Sequence, residues 1–364
     1  MRKTVVIILT LAVLLGGFTT AALAREPATP QLDLQKVIDM ALANSQSLKS
    51  KDYEKQQAWE KREDAKDNFN VIPDGATDPA TEAKYTALMQ SSLNYLMKGK
   101  MLDQTKKQIS LDAYTKYINV LMAEENLKYA EIALEKDKLA ERLAKLSYQV
   151  GTTSKPELIG AQSGASVSES SVNVARENLD KAYIELNSLI GLWPEDRPVL
   201  QDDIEFEEFK VDNIDAEVNR AETSSENLWY LEQLVTLQKM DLRYFNYGPG
   251  SGQLGSYKVE KYDVDIAEQN AQDAQKQIKE GVQTLYKDIL ALAEQYKTLV
   301  AANESLEELL RVTKVKYDVG MATKMDVQTV QANLAKNQMN IELLKYKNAI
   351  MVATFKSMTG KNII

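Results

Sequence analysis

Toward the C-terminus, apolar positions recur in alternating steps of three and four. Val327, Val330, Leu334, Asn337, Ile341, Leu344, Asn348, Met351, Phe355 and Met358 keep a 3.5-residue period. That is the spacing of a coiled-coil seam rather than the broad stripe of a globular helix. The stretch before it carries Tyr296, Leu299, Asn303, Leu306 and Leu310 in similar steps. Moving back by 169 residues gives Leu158, Ala161, Ala165, Ser168, Val172, Ala175, Leu179, Ala182, Leu186 and Leu189, the same frame with smaller side chains. Seams of this kind pack helices lengthwise, and the Asn positions within them fix register.

Breakers are few and clustered. They fall at Pro73 to Pro79, Gly151 to Pro156, Gly191 to Pro198, Gly248 to Gly255 and Gly320. Between them lie Ala, Leu, Glu, Lys and Gln, which favour helix. The pattern predicts six helices, at about 34–69, 79–150, 156–190, 213–245, 263–319 and 324–358. Asp78 is placed to cap the second, with Pro79 at its first position and Glu82 in its first turn. Gly99 marks a potential bend. Each long helix turns within about five residues into a shorter returning one, with Gly151 and Gly320 suited to the left-handed position after a helix end. Pro156 has Met325 as its counterpart, so the turn does not depend on proline.

The two hairpins are copies in sequence. Tyr148-Gln149-Val150-Gly151 returns as Tyr317-Asp318-Val319-Gly320, and the same shift of 169 relates Tyr117 to Tyr286 and Gly191 to Gly360. A second shift, of 180, relates Asn44-Ser45-Gln46-Ser47-Leu48 to Ser224-Ser225-Glu226-Asn227-Leu228. This implies a fold of two similar halves, residues 25–191 and 213–364, joined by an acidic linker at 192–212. Leu292, Ile289, Tyr346 and Ile350 fall outside the seams and are expected to seek partners in other copies of the chain.

Residues 1–24 have the pattern of a secretory signal peptide: Arg2 and Lys3, an apolar run from Val5 to Phe18, and Ala22-Leu23-Ala24 before Arg25. Cleavage would change the net charge from −9 to −11, which argues against a nucleic-acid partner. The chain has neither His nor Cys. That excludes imidazole bases, thiolate nucleophiles and His/Cys metal sites, and no carboxylate pair stands out, so neither an enzyme nor a cofactor is expected.

Three motifs resemble the TolC-like outer-membrane efflux family. Leu32-Asp33-Leu34 to Asn44 is similar to its leading stretch. Tyr148 to Leu158 and Tyr317 to Val327 are similar to its repeated Tyr-x-Val-Gly turn, and Leu189-Ile190-Gly191 and Met358-Thr359-Gly360 to its Gly stops. The resemblance implies an all-α body of duplicated coiled-coil hairpins that forms part of a trimeric TolC-like α-barrel. It further implies a homotrimer working with a periplasmic adaptor (a membrane fusion protein) and an inner-membrane transporter. By position, Val150, Gly151, Thr152, Val319, Gly320 and Met321 become adaptor-docking tips. Glu157, Tyr317 and Asp326 become gate or aperture residues, with Tyr317 bonding across to Glu157. Ala322 and Thr329 stand where some members carry a basic and an acidic gate residue.

The family places two membrane strands between the short and long helix of each half. Two spanning strands need at least about 22 residues. Asn70–Asp78 is shorter than this, and in Asn246–Tyr262 only Tyr257, Val259 and their neighbours suit a brief strand. The membrane barrel is therefore expected to be short or absent. Two functions follow as expectations. One is an exported efflux conduit of the cell envelope or periplasm, associated with the outer membrane without spanning it. The alternative is a non-conducting coiled-coil scaffold or spacer of the envelope.

Overall fold

The computed structural model describes residues 25–69, 79–243 and 257–363. In chain order these form β1 (Gln31–Leu32), α1 (Leu34–Asn44), α2 (Gln46–Asp67), α3 (Pro79–Gln149), α4 (Lys155–Ile190), β2 (Val199–Leu200), α5 (Ile214–Ser224), α6 (Glu226–Arg243), α7 (Tyr257–Asp318) and α8 (Lys324–Met358). The protein is thus almost wholly helical among the described residues. The 71 residues of α3 make a rod about 107 Å long at the helical rise.

The two expected leading helices are each two helices. Ser45 leaves the helical region (φ −65, ψ 115), and its side chain accepts from the Leu48 N–H, starting α2 afresh. Ser225 does the same, accepting from the Leu228 N–H at 3.2 Å. A hydroxyl that offers the next turn a cap competes with continuing the helix. Gly99 does not interrupt α3, which runs unbroken. A Cβ there would stand 3.8 Å from the Lys55 side chain of α2. Tyr257 and Val259, suited in sequence to a brief strand, open α7 instead. The Asp78 cap, the signal peptide and most of both helix connections lie outside the described residues.

The helices stand in four columns. α4 packs along α3, α3 along α8, and α8 along α7. Past the ends of α4 and α8 the columns continue. The Asn44 amide at the end of α1 donates to the carbonyls of Ser188 (3.3 Å) and Leu189 (3.1 Å) at the end of α4, so α4 is prolonged by α1 and α2. Ser224 at the end of α5 lies against Gly360 just past α8, so α8 is prolonged by α5 and α6.

The main core sits at this junction level, which we call the equator. Val37, Ile38 and Ala41 of α1 pack with Tyr117, Ile118 and Val120 of α3, Leu186 and Ile190 of α4, and Ala353 of α8. A second cluster joins Val218 and Ala221 of α5 to Val282 and Ile289 of α7 and Phe355 of α8. Ile289 and Leu292 are therefore buried within one chain, and Tyr346 and Ile350 pack on the main core. Their expected search for outside partners does not hold, because the equator supplies a third packing face that a two-helix seam lacks. Side chains that remain exposed lie elsewhere, among them Ile159, Val167 and Val174 on α4, and Leu309 and Val315 on α7.

Residues 192–212 are a strap as well as a connection. β2 pairs in parallel with β1. The buried Asp196 carboxylate accepts from the N–H groups of Ala28 (2.8 Å) and Trp193 (3.1 Å) and pairs with Arg25 at 3.2 Å. Asp202 accepts from the Tyr117 hydroxyl and the Leu34 N–H, both at 2.7 Å. Further on, Phe206 stacks on Tyr296 with ring centres 3.9 Å apart. The Glu207 N–H then donates to Asn348 Oδ1 at 3.1 Å, and the Val211 N–H to the Tyr286 hydroxyl at 3.3 Å. The strap holds α3, α7 and α8 in fixed relation.

Candidate functional site at the hairpin tips

The two tips are built alike from their sequences. Gly151 has φ +79 and Gly320 φ +76, the left-handed conformation glycine adopts at least cost. In the first tip, Thr152 N–H reaches back to the Ser147 carbonyl (2.9 Å) and Gly151 N–H to Tyr148 (3.1 Å). In the second, Met321 N–H reaches Lys316 (2.7 Å) and Gly320 N–H reaches Tyr317 (3.0 Å). These bonds satisfy the last carbonyls of α3 and α7, as a left-handed glycine cap does.

The returning helices begin with capping boxes. Ser154 Oγ accepts from the Glu157 N–H, and Glu157 Oε2 accepts from the Ser154 N–H at 2.8 Å. Thr323 Oγ1 accepts from the Asp326 N–H at 3.1 Å, and Asp326 Oδ2 accepts from the Thr323 N–H at 2.7 Å. Each arrangement satisfies two orphan donors reciprocally. The backbone N–H of Ser154, followed by its hydroxyl, holds the Glu157 carboxyl below its ordinary value; the N–H and hydroxyl of Thr323 do the same for Asp326. Both carboxylates stay ionised at neutral pH.

Glu157 and Asp326 are thus helix starters at equivalent places. Tyr317 does not hydrogen-bond Glu157 within one chain; its side chain is exposed, as is that of Tyr148. Ser154 and Thr323 carry the caps and are absent from the residues picked out in the sequence. The signal was available as Ser-x-x-Glu and Thr-x-x-Asp immediately after each tip glycine.

What the tips present is apolar. Val150 is 74% exposed, Val319 65% and Met321 78%. A Cβ added to Gly151 or Gly320 would meet nothing within 4 Å. Among the described residues no cluster of carboxylates is arranged to hold a metal ion, and no helix is long and apolar enough to cross a membrane.

Comparison with known proteins places this geometry. Residues 250–361 match the family described as Outer membrane efflux protein, a family of channels rather than enzymes. A comparison with curated proteins finds no matching sequence. Among solved structures, the outer-membrane channel OprN is similar at 14% identity and a TM-score of 0.67, over 91% of this chain and 90% of that one. The CmeC outer membrane channel of Campylobacter jejuni is similar at 16% identity and a TM-score of 0.62, over 93% and 90%. VceC, an outer membrane protein of Vibrio cholerae, is similar at 14% identity and a TM-score of 0.63, over 91% and 97%. The resemblance carried by the sequence motifs therefore holds: residues 250–361 match the outer membrane efflux protein family, and the chain as a whole has the fold of the TolC-like outer-membrane channels.

Proposed function

We propose that this chain, exported and freed of residues 1–24, assembles as a trimer into an α-helical efflux conduit. Its halves, 25–191 and 213–364, each contribute one hairpin, and the tips at Val150-Gly151-Thr152 and Val319-Gly320-Met321 dock a periplasmic adaptor that links the conduit to an inner-membrane pump. The observation that carries this reading is the pair of like-built tips. Each turn satisfies its own backbone, so the apolar residues it presents are not needed to hold the turn. Exposed apolar side chains on a pre-formed surface suit contact with another protein.

The test is Gly151→Arg and Gly320→Arg, scored by substrate accumulation in cells and by adaptor cross-linking. A non-glycine residue at positive φ costs roughly 1 kcal/mol, small for a body with helices this long. A long charged side chain on a surface that must approach a partner closely is much more costly. Efflux and cross-linking should fail while helicity and assembly persist. Wild-type behaviour in both assays would remove the docking role and leave a non-conducting envelope scaffold as the better reading.

A further inference from the structure

The chain has no cysteine, so methionine is its only sulfur side chain. Among the described residues a single methionine is exposed: Met321, in the turn between α7 and α8, at 78%. Every other described methionine is half-buried. Met40 and Met122 pack on the main core, and Met351 and Met358 on the second cluster. Met325, in the first turn of α8, is half-buried as well, although it follows Met321 by one helical turn in sequence.

The turn holds Met321 by its backbone. Its N–H donates to the Lys316 carbonyl at 2.7 Å, and the Gly320 before it has open space where a side chain would stand. The thioether takes no part in the bonds that keep the turn, so a change at sulfur leaves them in place. The first tip differs here. Thr152 stands at the equivalent position, and its hydroxyl donates to the Ser147 carbonyl at 3.0 Å. One tip of each chain presents a sulfur and the other presents none.

We propose that Met321 is an oxidation site, and that its sulfoxide loosens the contact between the second tip and the adaptor. This rests on the docking reading above. The oxidant is a peroxide. A sulfur lone pair attacks one peroxide oxygen and the O–O bond breaks. The leaving hydroxide takes the proton from the transferred oxygen and departs as water. Sulfur is oxidised and the peroxide reduced by the same electron pair. The product is a polar side chain where an apolar one stood. Val319 and Met321 are the exposed apolar side chains of this tip, and a sulfoxide beside Val319 must be stripped of water before a partner can cover it.

The chain holds no thiol, so it cannot return the oxygen itself. Restoration falls to a methionine sulfoxide reductase supplied with a dithiol. The change therefore outlasts the oxidant and is reversed only from outside the molecule. It also acts on one hairpin of each chain, since Thr152 offers a peroxide nothing comparable.

The test has two parts. Purified full-length protein is treated with dilute hydrogen peroxide, digested and mapped by mass. Met321 should gain one oxygen well before Met325 and the core methionines, with helicity unchanged. Even oxidation of all methionines, or Met325 reacting first, overturns the site. Adaptor cross-linking is then measured in cells before and after peroxide, for the wild type, Met321→Leu and Met321→Gln. The wild-type cross-linked product should fall roughly tenfold, as expected when one buried methionine is lost from a contact. In Met321→Leu the treated and untreated values should agree, whatever their common level. Met321→Gln, polar and without sulfur, should cross-link weakly before any oxidant is added. Equal losses in the wild type and Met321→Leu overturn the proposal and leave adaptor docking standing. Wild-type cells that give no cross-linked product before peroxide overturn the docking reading and the loosening with it, while the mass map still decides the oxidation site.

Discussion

Asn44 lies over Gly191 so closely that a Cβ on the glycine would stand 2.9 Å from Oδ1 of the asparagine. The same Asn44 amide donates to the last carbonyls of α4. In the second half a Cβ on Gly360 would stand 2.9 Å from Cβ of Ser224. The leading Asn motif and the Gly stop, far apart in sequence, are two sides of one joint. The glycine is needed twice there, for its positive φ and for the space above it.

Gly191→Ala and Gly360→Ala should each lower stability by about 1–3 kcal/mol, combining backbone strain with overpacking. Asn44→Ala should recover part of the loss in the Gly191→Ala background, because the clash partner is gone. Gly160→Ala, at an open mid-helix position, should raise stability by up to about 1 kcal/mol. Urea unfolding midpoints report all four variants. Equal effects at residues 160 and 191 would show that the joint exerts no steric demand.

Ser154→Ala and Thr323→Ala should each cost about 1 kcal/mol as lost N-caps. The effect should be local, seen as faster amide exchange in the first turns of α4 and α8. The partner carboxyls titrate below their ordinary range in the folded chain. Their contribution is therefore complete above the unfolded pKa and is lost as pH falls through the folded one. Fraying of both helix starts should appear on acidification, and Glu157→Gln should remove that pH dependence in the first tip. Exchange rates in α4 that stay level with pH in the wild type would contradict the assignment.

Asn337→Leu should stabilise the second hairpin. Asn337 is a buried seam residue that donates to the Leu299 carbonyl at 2.9 Å and to Asn303 Oδ1 at 3.4 Å. A polar residue at such a position costs stability and specifies register. A higher unfolding midpoint is expected, together with heterogeneous pairing detected by cysteines placed across α7 and α8. A lower midpoint with one fixed register would assign Asn337 a net stabilising bond instead.

Asp196→Asn should loosen residues 25–32 without changing helix content. The carboxylate is lowered by the Ala28 N–H foremost, then by the Trp193 N–H and Arg25, against an opposing effect of burial. Its hold on β1 is therefore full above the ordinary Asp range and lost as pH drops through the lower folded value. Limited proteolysis should cut the N-terminal segment sooner in the variant at neutral pH, and sooner in the wild type only in acid. Identical digestion of the two proteins at pH 7 would dismiss the clasp.

The long hairpins are legible in sequence because a 3.5-residue period leaves little else for Val327 to Met358 to do, and because Gly151 and Gly320 repeat with their neighbours. The seam asparagines are legible for the same reason: Asn303 and Asn337 sit in register in the pattern and meet in the fold. The breaks at Ser45 and Ser225 are hidden because Ser also tolerates helix interiors, and the apolar pattern runs on across them. The equator is hidden because its core draws on α1, α3, α4 and α8 together, so no local period records it. The second cluster likewise draws on α5, α7 and α8, so Ile289 looks unpartnered in sequence and is buried in the fold. At the tips, position along a family motif marks Glu157 and Asp326, whereas their bonds show what each does within a single chain.

Of the four columns, two are unbroken rods and two are jointed. α3 and α7 run without interruption from the tips to beyond the equator, while the columns of α4 and α8 change helix at Gly191 and Gly360. The two rods therefore carry one continuous backbone ladder from each tip to beyond the equator. The jointed columns change helix where Asn44 and Ser224 meet their glycines. Stiff and jointed members alternate across the chain, so the equator is the level at which the two kinds of column differ.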